Sequence, residues 1–250
     1  MSSGELRGRT AVLDRESAAF RIEVSVFASS CYESSCGSST PLRRAPLDGK
    51  HDVTGTIGKK FLDGQCLVAM PALQDQFFAR AVVYVCAHSE DGAMGLILNH
   101  PSPGVSLRDL LLQLKVIEAP GHARLSPDLG VMRVLNGGPV ETTRGFVLHS
   151  ADYRGGDTTL AIDGDVCLTA TLDILRAMAL NEGPERAVLA LGYAGWSAGQ
   201  LESEILANSW MIVPADPDLL FDQDHETKYE RALQAIGVDL GFLSEQAGHA

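Results

Sequence analysis

The chain has no run approaching the ~20 apolar residues that a membrane-spanning helix requires, so no membrane partner is expected. Its start, Met1-Ser2-Ser3-Gly4-Glu5-Leu6-Arg7, lacks the basic-then-apolar pattern of a secretory signal. Aromatics are sparse at 6% of the 250 residues, and cysteine is scarce at five. Five is an odd number, and the cysteines are scattered, without a pair of Cys-x-x-Cys knuckles, so neither a disulfide framework nor a zinc site is expected. A reducing, cytoplasmic setting fits that usage. A concentrated basic patch is missing too. Residues 1–58 hold seven Lys/Arg and seven Asp/Glu, whereas residues 61–250 hold 11 and 25. A domain so acidic repels a phosphate backbone, and direct nucleic-acid binding is not expected.

What is present is 45% hydrophobic content, enough for one sizeable core with an appendage. Residues 1–58 read as that appendage, an unstructured extension or a start placed upstream of the functional protein. Ser29 to Pro41 is a polar tract without periodicity. Ala19 to Phe27 could form a transient strand or helix, but nothing nearby pairs with it. Cys31 and Cys36 alone make a poor metal site. Seven acids argue against an organelle transit peptide.

Residues 61–250 read as a single domain. Cys66 to Met70 predicts a buried strand stopped by Pro71. Ala81 to His88 and Ala93 to Asn99 flank Asp91-Gly92, a step suited to the hairpin turn that matches strand twist. Ser106 predicts a helix N-cap, with Asp109 in the acidic position of a capping box and Val105 and Leu110 as the staple. Val131 to Leu135 is the next strand, and Asp163-Gly164 marks a second hairpin. Thr171 to Leu180 is a helix. Arg186 to Gly192 is apolar enough to be a central strand covered on both faces. Gly192 to Trp196 should then turn into a helix capped by Ser197 and Gln200. Strands interleaved with helices predict a mixed sheet.

The stretch joining the two halves is Asn136-Gly137-Gly138-Pro139-Val140-Glu141-Thr142-Thr143-Arg144-Gly145-Phe146-Val147-Leu148-His149. Its two glycines can take positive φ or admit another backbone, and Pro139 forces a turn. Arg144 to His149 alternates like a strand. The plain reading is a structural corner. The sharper one is an anion corner, with backbone N–H groups and the Arg144 fork as donors.

Other chemistry is thin. Cys86 and His88 are two apart on a predicted strand and should share a face, but a nucleophile needs hydrogen-bond reach and an orienting third group. His149 with Asp152 could form a general base, or a structural pair at a strand end. The acidic run Asp216 to Glu226 lacks the glycine and the ligand order of a calcium loop. Gly192-x-x-Gly195 is neither a dinucleotide fingerprint nor a P-loop. No cofactor, no metal and no catalytic residue is assigned.

Taken together, Leu67-Val-Ala-Met-Pro-Ala-Leu73, Val83-Tyr-Val-Cys-Ala-His88, Gly92-Ala-Met-Gly95, Asn99, Gly137-Gly-Pro-Val140, Arg144 to His149, Leu191 to Trp196, Gly199-Gln-Leu-Glu202 and Asn208-x-Trp210 resemble the AlgH/YqgE family over residues 61–250. The resemblance implies an α+β fold with a mixed, bifurcated β-sheet curled into a pseudo-barrel with flanking helices. It also implies the label of transcriptional regulator that some members carry, but no residue roles. The expectation is a non-enzymatic ligand- or protein-binding module with a regulatory role, its partner a protein or a small anionic ligand. Asn99, Gly137, Gly138, Arg144 and His149 are the candidate ligand-binding residues. The alternative is a hydrolase or transferase using His149 with Cys86 or Asp152.

Overall fold

The computed structural model describes residues 61–73, 75–118 and 127–238. The expected extension over residues 1–58, with Cys31 and Cys36, and the last twelve residues lie outside the described residues. Among the described residues the ten strands are β1 (Gln65–Ala69), β2 (Val82–Ser89), β3 (Gly92–Ile97), β4 (Pro101–Ser106), β5 (Arg133–Asn136), β6 (Val140–Ser150), β7 (Thr159–Ala161), β8 (Val166–Thr169), β9 (Ala187–Ser197) and β10 (Trp210–Pro214). The helices are α1 (Leu107–Gln113), α2 (Pro127–Val131), α3 (Leu172–Ala179), α4 (Gln200–Leu206), α5 (Pro217–Phe221) and α6 (Lys228–Gln234). The described helices are short; none is long and apolar enough to cross a membrane, which says nothing of strands.

One sheet runs β10-β1-β2-β3-β9-β6-β8-β7, and a side branch β4-β5 joins it. It is mixed because β5 lies parallel to β9, while the other pairings are antiparallel. The fork is on β9. Its first half pairs with β5 through Leu189, Ala190 and Leu191, and its second half pairs with β3 through Ala194 to Ser197. β6 follows the opposite edge. The sheet curls far enough that the Tyr84 hydroxyl of β2 donates to Asp163 Oδ2 in the β7–β8 turn at 3.0 Å. The result is an α+β half-barrel with flanking helices.

Alternation along the strands sorts the apolar residues into cores. Cys66, Val68, Tyr84, Leu96, Leu148 and Ala190 face the inside of the curl, where α5 and α6 add Leu220, Phe221 and Tyr229. The outer face divides at the fork. Leu67, Val83, Ile97, Trp196 and Trp210 pack under α4, whereas Val134, Val147 and Leu189 pack under α1 and α3. β9 is therefore covered on both faces, as its continuous apolar pattern predicts.

Several sequence signals act where expected. Ser106 Oγ accepts from the Asp109 N–H at 3.0 Å, and both Asp-Gly steps sit at hairpins. Others are displaced. β9 does not end at Gly192; it bends there, at φ 74°, and continues to Ser197. Helix α4 consequently starts later, with Gly199 at its N-cap, and Gln200 Oε1 accepts from Ser197 N and Oγ instead of completing a capping box. β4, for which the sequence reading offers no element, carries Pro101 and Pro103; paired only with β5, it tolerates them as an edge strand.

At the fork the chain crosses itself backbone on backbone. Gly137 N donates to Leu191 O at 2.8 Å, and Gly137 O accepts from Ile97 N at 3.0 Å, so one residue ties both branches to β9. A Cβ on Gly138, at φ 149°, would fall inside the carbonyl group of Tyr193, and one on Gly192 would meet Gly138 O at 2.6 Å. Gly104 also has positive φ, 76°, but open space around it. Gly138→Ala is therefore predicted to cost about 3 kcal/mol or more and lower Tm by about 6–12 °C, against about 1 kcal/mol for Gly104→Ala. Thermal melts of the two variants check this; similar losses would mean that crowding at the fork is not what matters.

Candidate functional site

After the crossing, β6 begins with an irregular stretch. Val140 pairs with Tyr193 and Gly145 with Leu191, so Glu141 to Arg144 bulge out, with Glu141 at φ 47°. The bulge presents Arg144 on the inner face of the curl. Its guanidinium carbon stands 5.4 Å from the Phe146 ring centroid, and Nη1 donates to Glu141 Oε2 at 2.8 Å. Arg144 Nε is buried without a hydrogen-bond partner. Phe146 meets Tyr193 edge-on at 5.8 Å, and Tyr193 and Met94 are only partly buried against the inner core. A single cation thus stands at one end of an apolar strip.

At the other end of β6, His149 is fully buried. Its Nδ1 lies 2.8 Å from Ser150 O, which can only accept, so Nδ1 carries the proton. Nε2 then accepts from the Thr169 hydroxyl at 2.9 Å, and Thr159 Oγ1 lies 2.7 Å from Thr169 Oγ1, completing the chain. Tyr153 covers the ring edge-on at 5.7 Å. Burial holds the imidazole below its ordinary pKa of 6.5, opposed by the Ser150 carbonyl and Asp152. This is a neutral, satisfied side chain.

The half-barrel and its glycine crossing can now be set beside known proteins. The AlgH-like family model matches residues 66–241. The chain belongs to the AlgH-like family. A UPF0301 protein of Afipia carboxidovorans is 57% identical over 204 residues, covering 82% of this chain and 97% of the relative. One from Beijerinckia indica is 59% identical over 199 residues, covering 80% and 97%. The solution structure of the AlgH protein from Pseudomonas aeruginosa is 42% identical with a TM-score of 0.61, covering 76% of this chain and 97% of that one. A crystal structure from Corynebacterium diphtheriae, 20% identical with a TM-score of 0.57 and covering 73% and 91%, shows the fold alone.

In this AlgH-like domain the five candidate residues fall into three places. Asn99, Gly137 and Gly138 gather at the fork. Asn99 Oδ1 accepts from Val82 N and its Nδ2 donates to Arg80 O, both at 2.8 Å, stitching the entry of β2 to the exit of β3. Arg144 is on the inner face of β6. His149, five residues on and about 17 Å along the strand, is on the outer face. Cys86 and Asp152 are not hydrogen-bonded to the imidazole, whose nitrogens are both engaged. Asp152 accepts instead from Ser150 Oγ and from Glu185 N.

The expected Cys86–His88 face-sharing fails because of a β-bulge between Val85 and Ala87. Cys86 turns into the inner core, whereas His88 is opposite Ala93 on the outer face and bonds Glu202 of α4 at 3.0 Å. The cysteine that does stand across from His149 is Cys167, and its thiol is pushed up by burial, so it stays protonated. Only the β6–β8 register reveals that pairing. Sequence reading also misses Glu204, which accepts from both indole N–H groups, Trp196 at 2.9 Å and Trp210 at 2.8 Å. Lys228 is the third omission. It is fully buried, donates to Leu219 O and Leu220 O at the end of α5, and burial lowers its pKa to about 8.

Because the folded imidazole of His149 is harder to protonate than the unfolded one, the unfolded state gains protons first as pH falls below 6.5. Its contribution to stability is present above that pH and lost below it. His100 and His225, lowered by burial too, act in the same direction. We predict that Tm falls between pH 7 and pH 5. His149→Gln should be less stable by about 1–3 kcal/mol at pH 7, with the gap narrowing toward pH 5. A gap that stays constant or widens on acidification would contradict the neutral assignment.

Proposed function

We propose that this domain is a non-enzymatic binding module with a regulatory role, acting through a small anionic ligand or a protein partner and not through direct contact with DNA. The observation that carries this reading is Arg144. Its guanidinium is raised on a bulge, backed by an aromatic ring, and has one buried N–H without an acceptor. The engaged state of His149 supports the non-enzymatic part, since a general base needs a free nitrogen within reach of a substrate. Charge supports the rest. Arg80, Arg176, Arg186 and Arg231 each lie against a carboxylate, and Lys228 is buried, so these cations are poorly placed to neutralise phosphates. Cys66, Cys86 and Cys167 are free and buried, consistent with a reducing cytoplasm.

The test is a thermal-shift panel of soluble anions on the wild type and Arg144→Gln. A ligand present at a hundred times its Kd adds about 2.7 kcal/mol, which for a domain of this size is a rise of about 5–10 °C. We expect such a rise in the wild type and most of it gone in the variant. If no anion stabilises the wild type and the variant behaves identically throughout, the ligand version fails and only a protein partner remains. Fluorescence anisotropy with duplex DNA at about 50 mM salt, where electrostatic binding is strongest, should show no binding at micromolar protein. Retention of a promoter fragment by residues 61–250 would refute the DNA part.

A further inference from the structure

We infer that the ligand is an amphipathic carboxylate, its head group taken side-on by Arg144 and its apolar part lying along Phe146, Tyr193 and Met94. This rests on the Arg144 reading above. A guanidinium can grip a carboxylate through two parallel N–H bonds, either at its end, with the two Nη, or at its side, with Nε and one Nη. Glu141 occupies Nη1. Nε remains buried and without an acceptor, in a side chain that is 22% exposed, so the fork is half-engaged. Leaving a buried charged donor unpaired is destabilising, and an incoming carboxylate relieves it.

The surface next to the guanidinium is apolar and continuous. The guanidinium rests over Phe146, which meets the Tyr193 ring edge-on. Tyr193 leans along its own strand over Gly195, where an added Cβ would stand 3.3 Å from Cε2 of that ring. Gly195 is directly opposite Met94 on β3. Met94 and Tyr193 pack against the inner core yet remain partly exposed, so the strip can be reached from outside. A soluble dianion would fill the fork and leave the strip unused, whereas a carboxylate on an alkyl chain matches both.

The experiment uses the full chain with decanoate, decanol and butyrate, each below its aggregation limit. Readouts are Tm and the Arg Nε–H resonances in a nitrogen–proton correlation spectrum. Decanoate is expected to raise Tm and to shift one Nε–H resonance, identified by its absence from Arg144→Gln. Decanol and butyrate should bind at least tenfold more weakly, and Arg144→Gln should lose about tenfold in decanoate affinity. If that variant fails to fold, Arg144→Lys serves, since it keeps the charge without the fork. Decanol binding as tightly as decanoate would remove the head-group claim, and butyrate equalling decanoate would remove the apolar strip. If decanoate does nothing while phosphate or citrate still stabilises through Arg144, this inference falls and the broader reading stands. If no anion acts through Arg144, this inference and the anionic-ligand reading both fall, and only a protein partner remains.

Discussion

The contact on which the structure depends is the crossing of Gly137-Gly138 over Gly192-Tyr193. Two backbones meet there with no side chain between them, and only glycine permits that approach at the φ values found. The crossing lets β9 serve β5 and β3 on the same edge, one after the other. A strand normally offers one neighbour per edge. Here a single edge serves two branches, because Gly137 hydrogen-bonds to β9 with its N–H and to Ile97, at the end of β3, with its carbonyl. Both backbone groups of Gly137 are therefore paired at the split, which matters because an unpaired buried backbone group costs about 1–3 kcal/mol.

The division of the outer core follows from that split. One branch is covered by α4 and the other by α1 and α3, while the inner face remains common to both. Buried and half-buried polar side chains then fasten the helices and the closing turn. Glu204 ties α4 to two indoles, Lys228 caps α5, and Tyr84 joins β2 to the far hairpin. Each has its partners in place, the condition under which a buried polar group specifies a structure instead of weakening it. That is also why His149 belongs with this set. An imidazole bonded at both nitrogens fixes strand register as a salt bridge cannot, without carrying charge into the interior.

Much of the fold was legible because it is encoded locally. Asp91-Gly92 and Asp163-Gly164 dictate hairpins, Ser106 with Asp109 dictates a helix start, and the apolar run from Arg186 dictates a doubly covered strand. What was not legible depends on strands remote in sequence. The bulge after Val85 reverses the faces of Cys86 and His88, and no feature of those residues announces it. β9 outruns its apparent stop at Gly192 because β3 is waiting to pair with its second half. The same limit applies to the site. Arg144 is legible as a donor beside the glycine corner, but its apolar neighbours Tyr193 and Met94 come from two other strands.

The acidic balance sharpens the meaning of that one residue. In a domain with more than twice as many acids as bases, most arginines find a carboxylate on the surface, and such exposed pairs contribute less than about 1 kcal/mol each. Arg144 has a carboxylate too, yet its partner Glu141 is 46% exposed and reaches only one nitrogen of the fork. Its Nε is buried without a partner, and the guanidinium stands over Phe146. A purely structural ion pair would be expected to form at the surface, as those of Arg176 and Arg186 do. A half-engaged guanidinium on a bulged strand beside a partly open apolar strip is the feature on which the proposed anion binding rests.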